Sequence, residues 1–97
     1  MPRYIALMKF TEQGVKDIKN APQQLEEGVA AVEKMGGKMI DIYATMGEYD
    51  YVAISEWPDD DDAMAFIFML ASRGNVRTTT LKAWDQQQFS EIINNVP

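Results

Sequence analysis

An apolar stretch interrupted by one lysine, YIALMKF at residues 4–10, predicts a first strand. Thr11 is placed to cap a short helical turn from Glu12, which the Asn20-Ala21-Pro22 stretch breaks. Pro22 suits the start of a second helix, in which Leu25, Val29, Val32 and Met35 recur at spacings of four, three and three on one face. Gly36 and Gly37 stop it. KMIDIYAT at 38–45 and DYVAISEW at 50–57 read as strands joined by the turn 46–49, an antiparallel hairpin that Pro58 ends. Four aspartates at 59–62 lead into an apolar helix reaching Arg73, closed by Gly74 and Asn75, which both tolerate left-handed backbone. VRTTTLKAW at 76–84 is the fourth strand. Asp85 with Gln88 forms the pattern of a capping box, and Phe89, Ile92, Ile93 and Val96 give a last amphipathic helix. The order βαββαβ plus a C-terminal helix predicts one α+β domain over 1–97, a ferredoxin-like antiparallel sheet with its helices on one face.

Alternation divides the strands into two faces. Ile5, Leu7, Ile40, Ile42, Val52 and Ile54 form an aliphatic face, expected under the helices. The other carries Tyr4, Ala6, Met8, Met39, Asp41, Tyr43, Tyr51, Ala53, Ser55 and Trp57. That mixture is too apolar for water, where an open sheet should be polar. Tyrosine and tryptophan join an apolar body to a polar tip, which suits a homodimer interface or a lined cavity. The helix ending at Arg73 has Ala63, Ile67 and Leu70 on its core face, yet Phe68 and Met69 lie away from it, so further contact is expected there.

Length and charge narrow the classes. A chain of 11.0 kDa folds to roughly 5,600 Å² from roughly 16,000 Å², enough for one core with little margin. Fifteen acidic residues against nine basic ones offer little to nucleic acid or an anionic membrane. With no cysteine and no histidine, disulfides, thiolate chemistry and the commonest metal ligands are missing. The stretch MPRYIALMKF has no long apolar core of a signal peptide, and no run approaches a membrane span. A cytoplasmic protein without a cofactor is the default expectation.

Three features carry candidate chemistry. In the turn GEYD, Gly47 can supply a positive φ and Asp50 can bond nearby backbone, a structural reading. The functional alternative pairs Asp50 with Arg77, both near strand ends, to orient a ligand, with Tyr49 donating to it. The aspartates 59–62 suggest Ca²⁺ or Mg²⁺, but lack the alternating spacing of an EF-hand, and a helix cap explains them. Asp41, between Met39 and Tyr43, would become a general base if desolvated; a solvated edge position or a cross-dimer hydrogen bond is the plainer alternative. The expected ligand site, in a helix–sheet cleft or barrel interior, is therefore lined by Asp41, Tyr43, Tyr51 and Trp57, with Asp50 and Arg77 near its mouth.

GEYD at 47–50, MKFTEQG at 8–14 and GNVRTTTLKAW at 74–84 together resemble the GYD domain family, in order and spacing over nearly the whole chain. FIFML at 66–70 is more aromatic than that pattern, and Trp84 stands where Phe is usual; both bear on packing. The resemblance implies a dimeric α+β barrel, two sheets meeting through their uncovered faces. It places the chain beside antibiotic-biosynthesis monooxygenases, muconolactone isomerases and the effector-binding domains of leucine-responsive regulators. It implies little chemistry, since fold does not fix function. Two readings follow: a non-catalytic homodimeric module binding a small molecule or a protein, or a cofactor-independent monooxygenase or isomerase acting on an aromatic or lactone substrate.

Overall fold

The computed structural model describes Met1–Pro97. Its elements are β1 (Arg3–Phe10), α1 (Glu12–Lys16), a 3-10 turn (Ile18–Asn20), α2 (Ala21–Lys34), β2 (Lys38–Ala44), β3 (Tyr51–Glu56), α3 (Asp60–Arg73), β4 (Val76–Ala83) and α4 (Gln86–Asn94). The four strands form one antiparallel sheet in the order β2-β3-β1-β4, compatible with the ferredoxin-like arrangement.

Local chemistry sets the helix ends. The Thr11 side chain accepts from the Gly14 amide at 3.1 Å, and its own amide donates to the Asn75 carbonyl at 3.0 Å, tying the start of α1 to the end of α3. After α2, the Gly37 amide returns to the Val32 carbonyl (2.9 Å) and the Gly36 amide to that of Glu33 (3.1 Å). That is a Schellman closure, with Gly36 in the left-handed region at φ 96°. Asp59 caps α3 by accepting from the Asp62 amide at 2.9 Å, and the next three aspartates face the positive end of the helix dipole. Asp85 and Gln88 cap α4 reciprocally, each bond 2.8 Å.

The faces of the sheet are the reverse of the expectation. Helices α2 and α3 cover the mixed face, where Tyr4, Met8, Ala53 and Trp57 are buried. The polar tips explain why this face can be core. The Trp57 Nε1–H donates to Ser55 Oγ at 3.1 Å, and the Tyr4 hydroxyl donates to Asp60 at the start of α3. Each aromatic body is then buried without stranding its donor. A β-bulge also changes the parity of β2. Met39 pairs with Ser55, but Asp41 already pairs with Ile54, so Ile40 is extra and Ile42, not Asp41, turns toward the helices. The uncovered face is the aliphatic one: Ile5 beside Ile54 and Leu81, Leu7 beside Val52.

The helix–sheet layer is packed at one end only. Tyr4, Val32, Trp57 and Ala63 form the buried cluster, with Met35, Met39 and Phe66 against it. α4 buries none of its residues, and Phe89, Ile92, Ile93 and Val96 all remain exposed. The outline is accordingly extended, 52 × 30 × 19 Å, with a surface of 6682 Å². A folded chain of this mass should expose roughly 5,600 Å², so about a thousand Å² of surface stays in excess.

Candidate functional site

The helix–sheet layer holds a cavity of about 350 Å³ that runs from the Trp57 cluster toward the opposite end. Its floor is the covered face of the sheet at Ala6, Met8 and Ala53, and its walls are Leu25 and Val29 of α2 with Ile67 and Leu70 of α3. The volume falls in the range of small-molecule pockets. Strand alternation puts Ala6, Met8 and Ala53 on one face, and the i, i+3, i+4 spacing of Leu25, Gly28 and Val29 turns one side of α2 toward them. Gly28 contributes to the opening, for a Cβ there would meet nothing within 4 Å.

Polar groups gather at one end. β1 ends at Phe10, which pairs with Val76 at the start of β4, so the end of α3 and the start of α2 lie at the same edge. Arg73, Asn75 and Gln24 line the cavity there, together with Tyr51, whose ring meets that of Phe10 edge-on at 5.2 Å. Burial, and then the Asp50 charge, raises the Tyr51 phenol above its usual value, so it stays a neutral hydrogen-bond donor. The ion pairs of the molecule engage Arg3, Lys9, Lys16 and Lys82, leaving the Arg73 guanidinium unpaired. Thr78 and Thr80 line the β4 side and share a hydrogen bond of 2.7 Å.

The residues expected at the site are divided by the sheet. Tyr51 and Trp57 face the cavity, Trp57 at its packed end. Asp41 and Tyr43 point the other way, on the uncovered face, because the bulge at Ile40 shifts them. There the Tyr43 hydroxyl donates to Asp41 Oδ2 at 2.8 Å, which raises the phenol's pKa, and both residues are exposed. Asp50 accepts from the Phe10 amide at 2.8 Å, fixing the GEYD turn to the end of β1. Arg77 pairs across the strands with Lys9, and no ion pair joins it to Asp50. The acidic run is a cap whose second residue is also engaged: Asp60 takes the Tyr4 hydroxyl and pairs with Lys82 at 3.0 Å, and the Tyr4 bond, then Lys82, lowers its pKa. The sequence reading missed Arg73, Gln24 and Gly28. The signal available was Gly28 itself, an unneeded glycine inside a helix, where it costs stability unless space or packing requires it.

No helix is long and apolar enough to cross a membrane. Three comparisons place the chain among known proteins. The model of the GYD domain matches residues 4–93. The chain is 33% identical over 84 residues to a Thermus thermophilus protein named glutamine synthetase and cystathionine beta-lyase binding protein, covering 86% of this chain and 88% of that one. A crystal structure of a Thermus thermophilus protein superposes with a TM-score of 0.60 at 24% identity, covering 88% of this chain and 95% of that one, and shares the fold. A family model matched across nearly all of the chain, and a relative one-third identical over most of both lengths, lead to one conclusion: the chain belongs to the GYD domain family.

Proposed function

We propose that this chain is a homodimeric, non-catalytic binding module that holds a small molecule in the cavity between its sheet and helices α2 and α3. The observation that carries the reading is the half-filled layer: a packed Trp57 cluster at one end and, running from it, a cavity of about 350 Å³ with a mostly apolar lining and polar groups at its far end. The alternative, a cofactor-independent monooxygenase or isomerase acting on an aromatic or lactone substrate in the barrel interior, would use a different site, the uncovered face that carries Asp41 and Tyr43. Dimerisation through the uncovered face, giving a dimeric α+β barrel, is supported by its aliphatic row and by the excess surface of the single chain. A thermal-shift screen of a fragment library tests the ligand reading, followed by amide chemical-shift mapping of each hit. Shifts concentrated at Met8, Leu25, Ile67 and Leu70 are expected. Hits that map only to the open sheet face, or no hit at all, would overturn it.

A second reading is favoured by α4, whose apolar side at Phe89, Ile92 and Ile93 is bare. The 33% identical relative is named for binding two enzymes, and an amphipathic helix laid into a groove is a common way to dock on a protein. Co-sedimentation with purified glutamine synthetase tests it. Binding that Phe89→Asp abolishes is expected, and no co-sedimentation would remove the reading.

A further inference from the structure

We infer that the cavity takes an apolar monocarboxylate, its hydrocarbon body between α2 and α3 and its carboxylate at the mouth on Arg73 and Tyr51. This rests on the reading of the cavity as a ligand site. The class follows from which groups line it. Met8, Leu25, Val29, Ile67 and Leu70 offer no hydrogen bonds, and the Thr78 and Thr80 hydroxyls beside Met8 and Ala6 bond each other, so the interior suits a largely hydrocarbon body. The mouth offers donors in excess. Arg73 carries a guanidinium with no ion-pair partner, and Tyr51 lines the same cavity from the start of β3, at the same edge of the sheet. A guanidinium holds a carboxylate through two parallel bonds and holds an alcohol through one at most. A carboxylate has no proton to give and accepts from both groups, so it satisfies this end better than a neutral or cationic head does.

Two acids stand nearby. The Asp50 carboxylate accepts from the Phe10 amide, and its charge bears on Tyr51, so the Arg73 guanidinium is the principal anchor. Glu27 lines the cavity from α2, but it stands six residues below the first residue of that helix, roughly 9 Å along the axis from the end where Arg73 lies. A cationic head placed at the Arg73 end would instead be repelled by the guanidinium.

Titration calorimetry with octanoate, 1-octanol and octylammonium, which share a tail and differ in head, tests the class. Octanoate is expected to bind at least about tenfold more tightly than 1-octanol, and octylammonium most weakly. Arg73→Gln should erase the preference for octanoate while leaving 1-octanol unchanged, since the tail contacts remain. Tyr51→Phe should weaken octanoate several-fold with the same folded stability. If 1-octanol binds as well as octanoate, or Arg73→Gln leaves the octanoate affinity intact, the carboxylate class is overturned while the cavity stands as a ligand site. If no probe binds, both are overturned. A preference for octylammonium would invert the assignment and identify Glu27 as the anchor.

Discussion

Gly37→Ala tests how tightly the packed end of the layer is built. A Cβ at Gly37 would lie 2.8 Å from Cδ2 and Cε3 of Trp57 and 2.9 Å from Cε2. Carbon atoms in good contact sit about 3.5–4.0 Å apart, so the ring must retreat by most of an ångström. Trp57 is 1% exposed, clustered with Tyr4, Val32 and Ala63, and its ring stands 5.2 Å from that of Phe66, so a retreat, even toward the cavity it borders, breaks these contacts. Overpacking of this kind costs about 1–3 kcal/mol. An opposing gain of about 0.4–1 kcal/mol comes from the stiffer unfolded chain, because Gly37 is not in the left-handed region and alanine suits its backbone. The clash wins, by about 1–2 kcal/mol, and at 4–8 °C per kcal/mol the melting temperature should fall by roughly 4–15 °C. Differential scanning calorimetry reads the shift. Emission of Trp57, measured with Trp84→Phe in both proteins since Trp84 is exposed, should move to the red. Gly28→Ala is the control, because its Cβ meets nothing within 4 Å and alanine in a helix interior should raise stability by about 0.5–1 kcal/mol. An unchanged melting temperature and emission for Gly37→Ala would refute the packing argument.

Other outcomes follow from single features. Gly47→Val should destabilise by about 1–3 kcal/mol and Glu48→Ala hardly at all, because Gly47 sits at φ 99° and Glu48 is exposed; equal denaturant midpoints would count against this. Burial, then the Asp60 hydrogen bond, pushes the Tyr4 phenol up to about 12 from 10.0. The fold therefore favours its neutral form, a contribution complete below about pH 10 and lost as pH rises toward 12, so phenolate absorbance should show Tyr4 ionising after the other tyrosines and Tyr4→Phe should lose that late step. The chain should sediment as a dimer at micromolar concentration, burying more than about 2,000 Å², and Leu7→Asp on the uncovered face should yield monomers; an 11.0 kDa species for the parent would remove the dimer.

The elements were legible in the sequence because their signals are local. Asp85 and Gln88 three apart, Gly36 and Gly37 after a helical stripe, and aspartates before an apolar run each act within one turn of chain. The sides of the sheet were not legible, because the deciding facts are distant. Tyr4 becomes a core residue through Asp60, fifty-six positions away. The bulge at Ile40 has no glycine or proline to announce it, yet it moves Asp41 and Tyr43 to the opposite face. Arg73 looked like the ordinary basic end of a helix, and its place at the cavity depends on how α3 ends beside the start of α2.

The uneven filling of the helix–sheet layer separates two tasks along one axis of the molecule. Substitutions at Val32, Trp57 and Ala63 act first on folding, because these side chains are the most buried, even where Trp57 and Ala63 close one end of the cavity. Those at Leu25, Gly28, Ile67 or Leu70 border empty space, so their size and polarity can drift at small cost to the native state. Selection can then retune what the open end accepts without first accumulating spare stability. On the proposed ligand reading, a short chain built this way would diversify its ligands faster than its fold, and related chains should differ most where this one is hollow.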